Sequence, residues 1–322
     1  MASSYQGPSY DLIDKASDIR PALAKLREGV TSSPFLAVDC EGESLSRKGQ
    51  LSLVSVALPT HTYLFDIKTL GAKVFDEGLR DLLQDPDREK LMFDCRSDSD
   101  CLWHQYHVKL TNVLDLQLLQ IIYRETNPEP VQDDKPRQVS WPGSRRQPMA
   151  TASRPPINVQ PVLRSFLRCL ELYVDDKDLT TAKAAGKEKM EREGTAVWMK
   201  RPLEASLLAY AAADVQGFLP LYRALRGAIA NPDKKERLRK GSQNFLDYLR
   251  SRSFRTYDDY ERNGFLPWRI LPASGHERPY TPEVYCKGCK RAFPRQDFFA
   301  LHIRRGIQHC PVCRKIYGLQ QH

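Results

Sequence analysis

The sequence predicts an α/β fold: a mixed sheet flanked by helices, followed by a small C-terminal module rich in cysteine. Three observations carry this reading. Short apolar runs follow one another over residues 35–67 and then alternate with helical patterns as far as residue 117, the order of a mixed sheet. Residues 203–225 keep helical apolar spacing, with only Gly217 and Pro220 as interior breakers. Finally, 4 of the chain's 8 cysteines fall in its last 37 residues, as two Cys-x-x-Cys pairs.

The elements follow in order. Residues 1–8 are polar and are expected to be disordered. An amphipathic helix is expected over 19–27, then strands over 35–39, 51–57 and 63–67. A helix at 75–83 precedes a strand at 90–93, a helix at 98–106 and a short strand at 112–114. Residues 126–156 are rich in Pro, Arg, Ser and Gln with few apolar side chains, the composition of a mobile insertion. Residues 176–194 are helical in composition and heavily charged, with Lys183, Lys187, Glu188, Lys189, Glu191 and Arg192. That pattern is either a solvated helix face or a basic flap over a substrate.

Beyond the 203–225 helix, a basic run over 234–240 opens a helix continued by Phe245, Leu246, Tyr248 and Leu249. From 257 to 280 aromatic and basic residues interleave, among them Tyr260, Arg262, Phe265, Trp268 and Arg269. Such residues stack on bases, but packing of the tail is the preferred reading. The expected boundaries are a main domain over 9–230, a basic helical and aromatic linker over 231–280, and the cysteine module over 281–322.

Chemistry concentrates in three segments. Asp39 and Glu41 lie two apart at the end of an apolar strand, so both project from one face. Two carboxylates side by side repel unless a cation lies between them, and their hard oxygens suit Mg²⁺ or Mn²⁺ better than Zn²⁺. Taken alone, the pair is a common strand ending in solvent. Tyr210 and Asp214 lie at i and i+4 on the long helix and share a face. A phenol beside such carboxylates orients a water or helps take its proton. In the middle segment Asp94, Asp98 and Asp100 compete, and spacing does not choose among them.

In order, these motifs resemble the DEDD superfamily of 3′–5′ exonucleases, in its ribonuclease D-like branch, over roughly residues 9–226. Asp39 and Glu41 match its DxE motif, the run SDSDCLWHQY its second motif with the family Asp on Asp100, and Tyr210 with Asp214 its YxxxD motif. Tyrosine in that place marks the DEDDy subclass. Trp198 to Leu203 resembles the W-x-x-R-P-L lead into the helix, and Asn112 to Gln117 the family's strand-to-helix step.

The resemblance implies a ribonuclease H-like fold and a cage of Asp39, Glu41, Asp100 and Asp214 for two Mg²⁺ or Mn²⁺ ions, with Tyr210 orienting the water. It also implies release of nucleoside 5′-monophosphates from a 3′ end, with single-stranded RNA favoured over DNA. Asp115 is read as supporting the ligands from behind or as structural, the four ligand places being filled. The alternative is an inactive RNA-binding adaptor of the same fold.

Net charge is +9, from 49 Lys and Arg against 40 Asp and Glu. Residues 231–322 hold 19 basic and 9 acidic residues, which leaves 30 and 31 for residues 1–230. The whole basic excess therefore lies C-terminal, where a salt-dependent grip on phosphates is expected.

Cys286, Cys289, Cys310 and Cys313 form CxxC, 20 residues, CxxC. With no secretory signal or membrane-spanning run in the sequence, reduced thiols and one Zn²⁺ are expected rather than disulfides. The favoured set is Cys286, Cys289, His302 and His309, resembling a C2H2 finger with Phe293 and Phe299 as its core, although the six residues between the histidines exceed the usual spacing. The competing set is a Cys₄ zinc ribbon of Cys286, Cys289, Cys310 and Cys313, and Cys310 is also a substitute for His309 in the finger. Cys40, Cys95, Cys101 and Cys169 read as core, and His104 and His107 as packing or surface. An intracellular monomer, nuclear or cytoplasmic and without membrane contact, is the expectation; protein partners are not legible.

Overall fold

The computed structural model describes residues 9–29, 34–128, 161–254, 259–271 and 283–318. The expectations of a disordered N-terminus at 1–8 and a mobile segment over most of 126–156 fall outside these residues. The chain divides into two compact units, and the first contains residues 1–127 and 165–253.

The first unit is built on a six-stranded sheet of order β1-β4-β3-β2-β5-β6. Its strands are β1 (Tyr10–Ile13), β2 (Phe35–Glu43), β3 (Gln50–Leu58), β4 (His61–Asp66), β5 (Glu89–Met92) and β6 (Val113–Asp115). β2, β3 and β4 form an antiparallel meander; β1 joins β4 in parallel, and β5 and β6 extend the other side in parallel. This is the mixed sheet expected from the element order, with one addition. The short β1 has only four residues and little apolar contrast, so its pattern did not distinguish it from a tail.

β2 also runs further than its apolar core suggests. Asp39 and Glu41 lie inside the strand, because pairing with β3 continues to Glu43 past a bulge between Glu41 and Gly42. At that bulge a Cβ on Gly42 would lie 2.0 Å from the Gln50 carbonyl oxygen, so only glycine fits.

Helices cover the sheet. α1 (Ala16–Glu28) precedes β2, and short helices α2 (Ile67–Leu70) and α3 (Arg80–Gln84) flank a π-turn at Phe75–Leu79. The single helix expected at 75–83 is broken there because Gly78 adopts φ 124°. α4 (Arg96–Tyr106) follows β5, and α5 (Leu116–Thr126) follows β6, capped by Asp115, which accepts from the amides of Gln117 and Leu118. Three further helices complete this side: α6 (Phe166–Tyr173), α7 (Lys177–Glu193) and α8 (Ala205–Leu225).

α9 (Pro232–Arg250) belongs to this unit rather than to a linker. It buries Leu238, Phe245 and Leu246 and is tied to α4 and β6 by side-chain hydroxyls. Ser99 donates to Leu246 O at 2.8 Å, and Ser242 Oγ accepts from the Asp115 amide at 2.9 Å. Within its basic run, Arg237 pairs with Glu125 and Arg239 with Glu89.

The second unit contains residues 254–270 and 276–322 among others. Its described elements are α10 (Asp259–Arg262), the hairpin of β7 (Val284–Tyr285) and β8 (Ala292–Phe293), α11 (Ala300–Arg304) and α12 (Pro311–Ile316). Aromatic residues of the interleaved stretch pack inward here. Tyr260 and Phe265 are buried, and Trp268 Nε1 donates to Asp297 at 2.8 Å. Among the described residues no helix is long and apolar enough to cross a membrane.

Candidate active site and cysteine cluster

The site starts from the pleat of β2. Asp39 and Glu41 share one face of the strand, and Cys40 between them is buried on the other. α8 crosses that face and presents Tyr210 and Asp214 from one side of the helix, both buried. Carboxylate oxygens of Asp39, Glu41 and Asp214 all lie within 4.8 Å of one another.

Such crowding has an electrostatic cost. Burial pushes the Asp39 and Glu41 carboxyls well up from the usual range, and their acidic neighbours push them further. Burial also raises Asp214, against the pull of the Lys183 ammonium. Tyr210 is raised by burial first and by the three carboxylates after it. A set of hard oxygen donors whose mutual repulsion a bound cation would relieve fits a divalent metal.

The second motif resolves against the expectation. Asp98 and Asp100 sit two apart on α4, and two residues turn a helix by about 200°, so they face opposite ways. Asp100 points to Arg47. It accepts from Arg47 Nε at 2.9 Å, Nη2 at 2.7 Å and the backbone amide at 2.8 Å, and is 3 % exposed. Arg47 in turn donates to the Leu249 and Arg252 carbonyls of the α9 end. Asp100 is therefore a structural anchor, not a member of the cage.

Asp98 stands beside the cage instead, next to the strand that carries Asp39 and Glu41. Its Oδ1 accepts from the amide of Cys40, the residue between Asp39 and Glu41, at 3.0 Å. Burial pushes its carboxyl up to about 7, and its charge raises Asp39 and Glu41. Asp94 is engaged with Arg96, at 2.6 Å from Nη2. Asp115 accepts from the Cys95 amide at 3.0 Å as well as capping α5, the structural role expected of it.

The roles of two residues, Arg201 and Lys183, escaped the sequence reading. Arg201, in the lead to α8, makes a two-pronged bond to Asp66 at the end of β4, with 2.7 and 2.6 Å separations. It thereby fixes the entry of the helix that carries Tyr210 and Asp214. Lys183 of α7 is 8 % exposed, with its Nζ 2.5 Å from the Asp214 carboxylate and 3.7 Å from the Tyr210 ring centroid. A signal for it was available: Leu179, Ala182, Lys183 and Gly186 recur at i, i+3, i+4 and i+7, and all are buried. Neither a solvated face nor a loose flap describes that side of α7.

In the second unit the four cysteines, all buried, gather with their sulfurs within 4.8 Å of one another. Cys286 and Cys289 come from the β7–β8 turn, and Cys310 and Cys313 from the start of α12, which Cys310 caps. The Cys310 amide donates to Cys286 Sγ at 3.2 Å. Hydrogen bonds from the other three cysteines pull the Cys286 thiol down.

The favoured set with His302 and His309 is corrected on this geometry. His302 lies on α11 against the Phe299 ring, and His309 is turned to Ile307 O at 2.8 Å; neither joins the cluster. Phe298, not Phe299, is buried with Phe293. Four soft sulfurs at these spacings fit a single zinc ion.

Residues 13–127 match the sequence profile of the 3′–5′ exonuclease family. Residues 13–127 are thus similar to the 3′–5′ exonuclease family, and the fold is that of ribonuclease D. It is similar to Trypanosoma brucei RNase D in complex with RNA U12, with a TM-score of 0.61 and 20% identity over 92% of this chain and 88% of that one. Escherichia coli RNase D gives a TM-score of 0.50 and 19% identity over 76% of this chain and 52% of that one.

Among curated proteins, the human piRNA biogenesis protein EXD1 is 33% identical over 190 residues, 59% of this chain and 32% of its own length. Its Xenopus laevis counterpart is 26% identical over 221 residues, 68% of this chain and 43% of its own length. The chain thus spans about a third of the length of the human relative it matches.

Proposed function

We propose that this protein is a metal-dependent 3′–5′ exonuclease that hydrolyses phosphodiester bonds of single-stranded RNA and releases nucleoside 5′-monophosphates. One observation carries the reading: Asp39, Glu41 and Asp214 converge within 4.8 Å beside Tyr210 and Asp98. Asp39, Glu41 and Asp214, with Asp98 in the place first given to Asp100, would hold two Mg²⁺ or Mn²⁺ ions. When bound there, such ions supply a nucleophile at neutral pH and offset charge on the oxygens of an in-line displacement.

The protein's own part is positional. The Cys40 amide fixes Asp98, Arg201 fixes the approach of α8, and Tyr210 orients the attacking water from the helix face it shares with Asp214. RNA is favoured over DNA because a solved relative of this fold binds RNA and the curated relatives are named for piRNA biogenesis. The C-terminal basic excess and a zinc ion on Cys286, Cys289, Cys310 and Cys313 support a grip on phosphates outside the cage.

The test is digestion of labelled single-stranded RNA, single-stranded DNA and duplexes with Mg²⁺ or Mn²⁺, by the full chain and by Asp39→Ala. Stepwise shortening from the 3′ end, abolished in the variant, supports the reading. Intact RNA under every metal condition rejects it. A second reading, an inactive RNA-binding adaptor, draws on Lys183, whose ammonium already neutralises part of the cage. Tight RNA binding without cleavage would favour it.

A further inference from the structure

α7 carries ion pairs along its length: Lys187 pairs with Glu191, and Lys189, its side chain 11% exposed, pairs with Glu193 and Glu204. Lys183 turns instead to the carboxylate cage. Its ammonium is buried against Asp214, over the Tyr210 ring and 5.6 Å from the Phe166 ring centroid. One turn later Gly186 meets the same tyrosine, so closely that a Cβ there would lie 2.4 Å from Tyr210 Cδ2. One face of α7 therefore covers both the phenol and the carboxylate that α8 supplies. Burying an ammonium is costly unless opposite charge is in place, and the three crowded carboxylates provide it.

We propose that Lys183 is an internal cation of the carboxylate cage. It holds one place on Asp214, competes there with a divalent ion, and keeps α7 seated until loading of the cage displaces it. The inference rests on the cage being a divalent-cation site, but not on the protein cleaving RNA. Lys183 is on this view a positioning residue: it sets how tightly the cage binds metal.

The experiment is Mn²⁺ binding to the full, zinc-loaded chain, read by the electron paramagnetic resonance of free Mn²⁺, for wild type, Lys183→Met, Gly186→Ala and Asp39→Ala. Removing the competing charge should tighten Mn²⁺ binding by about tenfold or more, given the cost of breaking buried ion pairs. Gly186→Ala should act in the same direction, because it presses α7 off Tyr210 without removing a charge. Hydrogen exchange supplies a readout independent of any variant: Mn²⁺ should speed exchange of the amides of residues 177–193 in wild type.

Unchanged or weaker Mn²⁺ binding by Lys183→Met overturns the proposal. If that variant does not fold, unchanged binding by Gly186→Ala or unaltered exchange in wild type overturns it equally. Asp39→Ala that binds Mn²⁺ as well as wild type removes the cage reading itself. Tightened binding in Lys183→Met with no RNA cleavage keeps this inference and rejects the exonuclease.

Discussion

Replacing Asp98 or Asp100 by asparagine separates the two carboxylates that the sequence could not. Each change removes a charge and keeps the shape. At Asp98 the asparagine oxygen still accepts from the Cys40 amide, so the fold should keep its stability while the cage loses a donor. Activity should fall by at least about 100-fold, since even residues that only support metal ligands are worth 10–100-fold.

At Asp100 the loss is structural. Arg47 donates three hydrogen bonds to this carboxylate, and the two side chains are only 13% and 4% exposed. Breaking a buried pair of this kind costs about 3 kcal/mol or more. At 2–4 °C per kcal/mol for a unit of this size, the melting temperature should drop by about 6–12 °C. Below that transition Asp100→Asn should retain activity close to wild type. Melting curves and digestion of 3′-labelled RNA by both variants decide it. An inactive Asp100→Asn that melts like wild type, beside an active Asp98→Asn, would refute the assignment.

The remaining predictions concern other parts of the same framework. Tyr210→Phe should lose much of the exonuclease rate with little change in RNA affinity; a wild-type rate moves the orienting role elsewhere. Cys313→Ser should lose the zinc measured by elemental analysis, whereas His302→Ala and His309→Ala should retain about one equivalent per chain; zinc loss in the histidine variants would restore the C2H2-like set. Arg201→Ala should destabilise the first unit by about 3 kcal/mol, because it leaves Asp66, 2 % exposed, without its guanidinium; chemical denaturation checks this.

The last prediction is a pH dependence. Burial, aided by Asp94, pushes the Asp115 carboxyl up to about 7. The native state then holds that proton between an unfolded value of about 3.9 and 7, so stability falls as pH rises through this window. Asp115→Asn removes the titration. The stability of wild type minus that of the variant should decline from pH 4 to 7, and a rise across that range would contradict it.

Elements whose period and composition agree with their environment were legible. The three-strand run, the alternation after it and the long α8 all declare themselves, because apolar spacing and burial coincide there. β1 was not legible, since four residues at the sheet edge carry too little pattern. Nor was the membership of α9. Its basic run looks like a linker in sequence, yet Leu238, Phe245 and Leu246 lie on the face that meets α4 and β6.

At the site the same distinction holds at finer grain. Asp39 with Glu41, and Tyr210 with Asp214, are pairs whose spacing matches the period of their own element, so one-dimensional reasoning puts each pair on one face. Asp98 against Asp100 is a question of helix phase relative to a sheet formed elsewhere, and no local period contains it. The zinc ligands posed the same problem: the gap from Cys289 to His302 fits a finger although that between the histidines is long, and only the fold of the second unit turns His302 and His309 away.

Lys183 shows the limit most clearly. Composition makes α7 a solvated helix, and for most of its charges that is right. The exception arises because a cage assembled from β2 and α8 needs positive charge, and the nearest buried face of α7 supplies it. A charge demanded by distant carboxylates leaves only one local trace, a lysine in register with Leu179, Ala182 and Gly186. A lysine in an apolar register is therefore evidence for an acidic partner across the interface, and here that partner is the cage itself.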